Sequence, residues 1–265
     1  MGNIFAYDFV IRAFAASGIV AVVAGTVGYF LVLRGQTFAG HALSHIGFAG
    51  ATGAALVGVS PLAGLIVFIV AAGAAIGLLG ERLSGRDVAI GIILSVSLGF
   101  GLLFLSLTTT HATQATSLLF GNVLAVTPSM LATLALLGVV TILALAVISR
   151  PLIFSSLQPE LAEAKGVSIR LIGTLFLALV ALATAQSIQI VGVLLVFTLM
   201  VGPPAAAQLL TKRLGGGIAL SAGLALAQAW LGIVIAFYTN WPTSFWITTL
   251  SGLVYAGAAL GTRRG

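Results

Sequence analysis

The chain has 265 residues, of which 60% are hydrophobic and only 6% are charged. A soluble domain needs about a quarter of its residues charged, so this composition excludes one and indicates an integral membrane protein. The net charge of +6 comes from basic residues that stand singly or in pairs between apolar runs. This pattern is typical of membrane loops and argues against nucleic-acid binding. The chain has no cysteine, which excludes disulfides and thiolate metal sites.

Apolar runs of the length that crosses a bilayer, about 20 residues, recur along the whole chain. Backbone groups in lipid must be hydrogen-bonded within the chain, so each run is predicted to be a helix. The sequence therefore predicts one all-α transmembrane domain over residues 1–265, a polytopic bundle of eight or nine membrane helices. The predicted segments are 11–33, 38–58, 61–80, 88–107, 129–149, 170–186, 190–210, 218–238 and 245–261.

The basic residues give this bundle a direction. If the segments alternate, the loops on one side hold ten of the eleven Lys and Arg residues, and the loops on the other side, which include 187–189, hold none. Only Arg12 breaks the pattern. The positive-inside rule places the basic side and the C-terminus in the cytoplasm. The N-terminus is then outside, unless the first segment is interfacial or re-entrant and only eight helices cross. No cleavable signal peptide is expected, because Asp8 and Arg12 precede the first apolar run.

The longest cytoplasmic segment covers about residues 151–170. Within it, Pro159 is followed by two acidic residues and then by Lys and Gly, an order that predicts a short helix. So short a helix is marginal alone. It is either an ordinary interfacial connector or a docking helix for a soluble partner. The residues that would make this contact are Glu160, Leu161, Ala162, Glu163, Lys165 and Gly166.

Two histidines, His41 and His45, stand in the second apolar segment. A spacing of four residues puts both imidazoles on one helix face, where they can share a divalent ion. The alternative is that both only hydrogen-bond to neighbouring helices. A strip of small residues beside them predicts that another helix packs closely and encloses a narrow path. The strip is Gly40, Ser44, Gly47, Ala51, Ala54 and Gly58.

Further polar residues in the apolar runs either line a polar path or form hydrogen bonds between helices. The candidates for path lining are Ser44, Asn122 and Gln189. The other polar residues of this kind are Gln186, Gln208 and Gln228. The sequence Gly202-Pro203-Pro204 disturbs a helix because proline lacks the backbone donor, which predicts a hinge or a simple kink.

The chain has no HExxH, no GxSxG and no GxxxxGK[ST], so it is expected to be no enzyme and to bind no ATP by a P-loop.

Five stretches, in order over about 180 residues, resemble the permease subunits of zinc- and manganese-importing ATP-binding-cassette transporters. They are LVLRGQTFAGHALSHIGFAGATGA, SGRDVAIGII, LLFGNVLAVTP, QPELAEAKGVSIR and VGVLLVFTLMVGPPAAAQLL. The resemblance implies a homodimer in the bacterial plasma membrane, with two cytoplasmic ATPase subunits and an extracytoplasmic metal-binding protein. It also implies alternating access driven by ATP in the partner subunits, with residues 160–166 as the coupling helix on the ATPase. No cofactor bound by this chain itself is implied.

The chain departs from the family pattern at one position. His41 stands where the family usually has Asp, and His45 stands at the family's histidine. Imidazole suits zinc and carboxylate suits manganese, so zinc is the favoured substrate over manganese or iron. Two other classes stay open. A stand-alone secondary metal transporter needs ion-coupling groups, but no acid lies in the middle of a segment. A non-transporting membrane scaffold predicts that His41 and His45 tolerate replacement by Gln.

Overall fold

The computed structural model describes residues 7–79, 85–107, 121, 123 and 125–262. The described residues fold into nine long helices and one short helix, and they contain no strand. The fold is therefore the predicted all-α membrane bundle. The helices are α1 Asp8–Leu33, α2 Thr37–Leu56, α3 Pro61–Leu79, α4 Arg86–Leu107, α5 Pro128–Leu157, α6 Pro159–Ala164, α7 Ile169–Val191, α8 Val193–Leu210, α9 Leu214–Thr239 and α10 Thr243–Thr262.

The long helices differ in how apolar they are, and the difference follows their position. By length and hydropathy alone, seven of the described long helices could cross a membrane. The other two, α2 and α8, are among the most buried. Helix α2 contacts α3, α4, α7 and α8, while α8 contacts α1, α9 and α10. Because they face protein more than lipid, they tolerate the Gly, Ser, His and Pro residues that lower hydropathy.

Helix α1 is a full-length membrane helix. It has 26 residues, about 39 Å at 1.5 Å per residue, against a hydrocarbon core of about 30 Å. It packs against α5, α7, α8 and α9 in the centre of the bundle. The structure therefore has a ninth long helix, rather than an interfacial or re-entrant first segment.

Three arginine contacts agree with helices that alternate in direction. Arg34 at the end of α1 contacts the last turns of α5, and Arg170 Nη2 at the start of α7 donates to the Leu78 carbonyl at the end of α3, 2.6 Å away. At the opposite end, Arg12 Nε donates to the Val126 carbonyl just before α5, at 3.1 Å. With the positive-inside rule, Arg34 and Arg170 mark the cytoplasmic side, and Arg12 lies on the outer side.

Two stretches expected to be loops are helical. The prediction of an outer loop at 187–189 is wrong, because α7 continues to Val191. The chain then reverses at Gly192, whose φ is +79°, and α8 begins at Val193. Ser187 is fully buried inside α7 and donates to its own Ala183 carbonyl at 2.7 Å, which removes the need for water. On the cytoplasmic side, α5 continues through Pro151 to Leu157, so the connector to α7 covers only 158–168.

Candidate metal-transport site

A tight turn at the cytoplasmic side sets the position of the histidine helix. Only three residues, Arg34 to Gln36, join α1 to α2. Gly35 has a φ of +64°, a conformation that glycine adopts without steric cost. The chain therefore reverses at once, and His41 stands little more than one turn inside the helix that begins at Thr37.

The structure brings the two predicted histidines together. The ring centroids of His41 and His45 are 4.7 Å apart, with the ring planes at 77°. Both side chains are half-buried, and the His41 ring also lies edge-on to Phe197 of α8 at 4.8 Å. The buried Nδ1 of His41 has no hydrogen-bond partner in the described chain. Two imidazoles one turn apart, one with an unused nitrogen, can offer one nitrogen each to a single ion.

The site supplies few ligands for a metal. In the described residues, no group of three or more His, Asp or Glu side chains could hold an ion. A structural zinc site uses four protein ligands. Two nitrogens from one chain therefore suit a passing ion, which keeps its other ligands as water or takes them from elsewhere.

The outer half of α2 is closed off by α4. Phe48 packs against Gly101, where an added Cβ would lie 2.9 Å from the Phe48 ring. One to two turns further out, Gly53 packs against the Phe104 ring in the same way, at 3.0 Å. Helix α4 also meets the inner end of α2, where Gly91 lies opposite the Phe38 ring, so the half-buried histidines lie between two α4 contacts along the helix.

The small-residue strip of α2 does pack closely against other helices, but away from α4. Gly47 meets Ile69 of α3 and Ile188 of α7, and the neighbouring Gly50 meets the Gly64 backbone. Ser44 of the strip is buried and donates to its own Gly40 carbonyl at 3.1 Å, so its hydroxyl is already used. The strip fixes the rotation of α2, and with it the direction of the histidine face.

Two of the remaining candidates for path lining lie wholly or partly outside the described residues. Gln189 lies in α7, but its side chain is outside the described residues, as is Asn122 altogether. Gln208 donates to the Tyr29 carbonyl of α1 at 2.9 Å, a helix-to-helix hydrogen bond. Gln186 and Gln228 are buried, with amides that have no hydrogen-bond partner in the described chain.

The Gly202-Pro203-Pro204 sequence lies inside a continuous helix, α8. Pro203 and Pro204 remove the donors that would satisfy the carbonyls of Leu199 and Met200. Gly28 of α1 lies directly against the Met200 carbonyl and the Pro204 ring. Close approach of a glycine Cα–H gives the freed carbonyl a weak partner. The break in hydrogen bonding is thus covered by a neighbouring helix.

The predicted short helix forms, as α6, at the cytoplasmic end of α5. It begins with Pro159 and ends in a Schellman motif, in which Val167 N donates to the Ala162 carbonyl at 2.9 Å and Gly166 has a φ of +82°. Ala162 is fully buried against the bundle. The other predicted contact residues of the segment, including Leu161 at 47% exposed, face outward. This is an anchored helix with an exposed, mixed charged and apolar face.

One functional candidate was not predicted individually. Arg34 stands in the first of the five family-like stretches, but the sequence assigned it no role of its own. Its Nη1 donates to Ser156 Oγ at 2.7 Å and to Ser155 Oγ at 3.2 Å. Its guanidinium carbon lies 5.7 Å from the centre of the Phe176 ring. It therefore joins the turn before the histidine helix to the end of α5, which leads into α6. The available signal was a lone arginine beside a glycine at a tight turn.

Comparison with known proteins agrees with this architecture. The model of the ABC 3 transport family matches residues 6–261. The manganese transport system membrane protein MntC of Listeria innocua is 31% identical over 235 residues, which cover 88% of this chain and 84% of MntC. The chelated iron transport system membrane protein YfeC of Yersinia pestis is 30% identical, covering 96% of this chain and 86% of YfeC.

A solved structure is similar over nearly the whole chain. PsaBC from Streptococcus pneumoniae in complex with Fab aligns with a TM-score of 0.85 and 27% identity, covering 95% of this chain and 91% of the matched chain. The resemblance seen in the five sequence stretches is therefore confirmed. The chain belongs to the ABC 3 transport family and is a permease subunit of a metal importer in the bacterial plasma membrane, with ATP hydrolysis in a separate subunit.

Proposed function

We propose that this permease imports zinc and passes it along the His41–His45 face of α2. The observation that carries the proposal is the pair of half-buried imidazoles, 4.7 Å apart, one with a buried nitrogen that has no partner in the described chain. Nitrogen ligands suit zinc, whereas manganese prefers carboxylate oxygen. Of the five acids, Asp8 and Asp87 lie at helix starts and Glu160 and Glu163 lie in α6, so none of these four joins the pair from the same chain, and Glu81 lies outside the described residues.

The relatives' names support a divalent metal but point to other ions. MntC is named for manganese and YfeC for chelated iron. The pair of nitrogens in this chain is the feature that favours zinc over both. Manganese and iron are the competing substrates that an uptake experiment has to include.

ATP is expected to act through α6. We propose that two ATPase subunits dock on the exposed face of this helix and that their movement reaches α2 through α5 and Arg34, giving alternating access. The Gly202-Pro203-Pro204 stretch is the proposed flexible point of α8. The freed Met200 carbonyl lies at the α1–α8 contact, where a helix can shift at a small loss of hydrogen bonding.

A second copy of the permease is proposed to pack against α4 and α10. Both helices are poorly enclosed by the rest of the chain, and both expose small residues at a spacing of four: Ser95 and Gly99 in α4, Gly257 and Gly261 in α10. An added Cβ on any of these three glycines meets no atom within 4 Å. Small residues in this pattern allow membrane helices to pack closely. An extracytoplasmic metal-binding protein would deliver the ion at the outer side of this dimer.

The test is metal uptake in proteoliposomes that contain the full complex with its ATPase and binding protein. The double variant His41→Ala/His45→Ala should lose zinc uptake by at least about tenfold, since removing two ligands costs well over 1.4 kcal/mol of ion stabilisation. The variant His111→Ala, which removes the chain's third histidine outside the described residues, is the matched control. Wild-type zinc uptake by the double variant would overturn the proposed path. Faster uptake of manganese or iron than of zinc by the wild type would overturn the proposed metal.

A further inference from the structure

Arg12 is the only basic residue that the charge pattern of the sequence does not assign to a cytoplasmic loop. Its Nε donates to the Val126 carbonyl, two residues before α5 begins, so the guanidinium is held between the outer ends of α1 and α5. Asp8 lies one turn nearer the N-terminus, is exposed, and forms no ion pair with Arg12. A cation at this level of a membrane protein faces the phosphate layer of the outer leaflet.

An apolar groove runs inward from this point, between α1, α5 and α9. It has a volume of about 670 Å³. On α1 it extends from Phe14 to Val23, about 14 Å along the helix axis. This is close to half of the roughly 30 Å hydrocarbon core. The groove therefore has about the length of one leaflet, and its outer end lies at Phe14, six residues inside the outer end of α1.

The lining of the groove accepts only an apolar occupant. Gly18 and Gly138 hollow its floor, and Trp230 of α9 forms one wall. The only indole donor in the lining is already used, because Trp230 Nε1 donates to the Phe14 carbonyl at 3.1 Å. Among the described residues that line the groove, no other side chain carries a polar group. A sugar or a peptide would lose its hydrogen bonds here, whereas a hydrocarbon chain loses none.

Arg12 lies on the same side of α1 as the groove. Ile19 and Val23, which line it, follow Arg12 by seven and eleven residues, close to two and three helical turns. Arg12 also bonds to the segment that leads into α5, the opposite wall. The cation thus stands at the mouth of the groove, in line with its long axis.

We propose that this face binds one phospholipid of the outer leaflet, with an anionic headgroup at Arg12 and an acyl chain in the groove. The cation attracts the headgroup, and the apolar walls take the chain. This site is separate from the histidine face of α2. It requires neither zinc nor the ATPase.

Trp230 provides the probe, because it is 42% exposed in the wall of the groove. The full-length chain with Trp241→Phe and Trp246→Phe keeps Trp230 as its only tryptophan. It is reconstituted in phosphatidylcholine vesicles with increasing brominated phosphatidylglycerol, and separately with increasing brominated phosphatidylcholine. Bromine on an acyl chain quenches indole fluorescence on contact. Half-maximal quenching should need an about fivefold lower mole fraction of brominated phosphatidylglycerol than of brominated phosphatidylcholine. This difference is the effect expected of one basic residue at the membrane surface.

Matched variants separate headgroup from chain. Arg12→Gln should abolish the preference, while Arg12→Lys should keep it. Ala135→Phe, which fills the groove, should weaken quenching by both lipids, and Ala132→Phe, on the exposed side of the same helix, should not. Equal quenching by the two lipids in the parent protein, or a preference that survives Arg12→Gln, would overturn the headgroup site. Absence of any quenching would mean that protein fills the groove, and would overturn the proposal altogether.

Discussion

Arg34 Nη1 donates a hydrogen bond to Ser156 Oγ at 2.7 Å, although the two residues are 122 positions apart in the chain. The same nitrogen contacts the Leu152 carbonyl at 3.3 Å. One end of this link is the turn that starts the histidine helix, and the other is the last turn of α5 before α6. The contact therefore joins the start of the histidine helix to the end of α5, along the route proposed above for coupling.

Breaking this link should uncouple transport from ATP hydrolysis. Arg34→Gln loses hydrogen bonds from a charged donor, each worth about 1.5–3 kcal/mol, so zinc transported per ATP should fall by about tenfold. ATPase co-purification should stay unchanged, since α6 keeps its exposed face. Radiometric zinc uptake and phosphate release in the same proteoliposomes give the ratio.

The control for that variant is Arg170→Gln. Arg170 also stands on the cytoplasmic side, but it joins α7 to α3 and has no hydrogen bond to α5 among the described residues. It should keep a near-normal transport ratio. If Arg34→Gln transported as much zinc per ATP as the wild type, the link would be merely structural.

The exposed face of α6 should decide ATPase binding. Glu160 and Glu163 are both exposed, and reversing both charges places two cations where the proposed partner meets two acids. Glu160→Arg/Glu163→Arg should lower the amount of ATPase that co-purifies at least fivefold, with Glu160→Gln/Glu163→Gln between it and the wild type. The thermal stability of the permease alone should be similar for all three. Unchanged co-purification in the charge-reversal variant would count against docking at α6.

Much of the fold could be predicted from the sequence because apolar runs and charge asymmetry are local signals. Each of the nine predicted segments corresponds to one long helix of the described residues, with ends that differ by a few residues. The failures came where a local signal was misleading. The loop predicted at 187–189 does not form, because Ser187 bonds to its own helix and is therefore tolerated in a buried position, and the turn lies at Gly192.

The candidate site was predictable only in part. The spacing of His41 and His45 fixes their shared helix face, so their proximity follows from α-helical geometry alone. Phe197 and Arg34 could not be assigned to the site in the same way. Their contacts join residues more than 100 positions apart, and these depend on how the helices pack, which one sequence does not reveal.

The α1–α8 contact should be sensitive to a single methyl group. A Cβ at Gly28 would overlap the Met200 carbonyl, which is backbone and cannot move aside. Gly28→Ala should therefore destabilise the protein by about 1–3 kcal/mol, the usual effect of overpacking, and lower its apparent Tm in detergent by several degrees. Gly223→Ala on α9 is the control, because its Cβ meets no atom within 4 Å. Equal Tm values for the two variants would argue against close packing at Gly28.

The proposed dimer face can be tested at Gly257. A leucine at this exposed position of α10 fits the monomer, since nothing lies within 4 Å, but it would hold a second copy apart. Gly257→Leu should reduce the dimer fraction measured by single-molecule photobleaching in lipid, with monomer stability unchanged. Gly223→Leu, equally open but on α9, should leave the dimer intact. A dimer that forms normally in Gly257→Leu would exclude this part of α10 from the interface.

The metal preference should follow the residue at position 41. His41→Asp replaces one nitrogen ligand by a hard, charged oxygen and makes the Asp–His pair that the family resemblance leads one to expect. Because carboxylate suits manganese and imidazole suits zinc, the ratio of manganese to zinc uptake should rise by about tenfold, equivalent to about 1.4 kcal/mol of relative stabilisation. Thr37→Asp, one turn nearer the cytoplasm, adds the same charge but keeps both histidines, so it should attract both ions without changing their ratio. An unchanged ratio in His41→Asp would show that position 41 does not contact the ion, even if uptake itself fell.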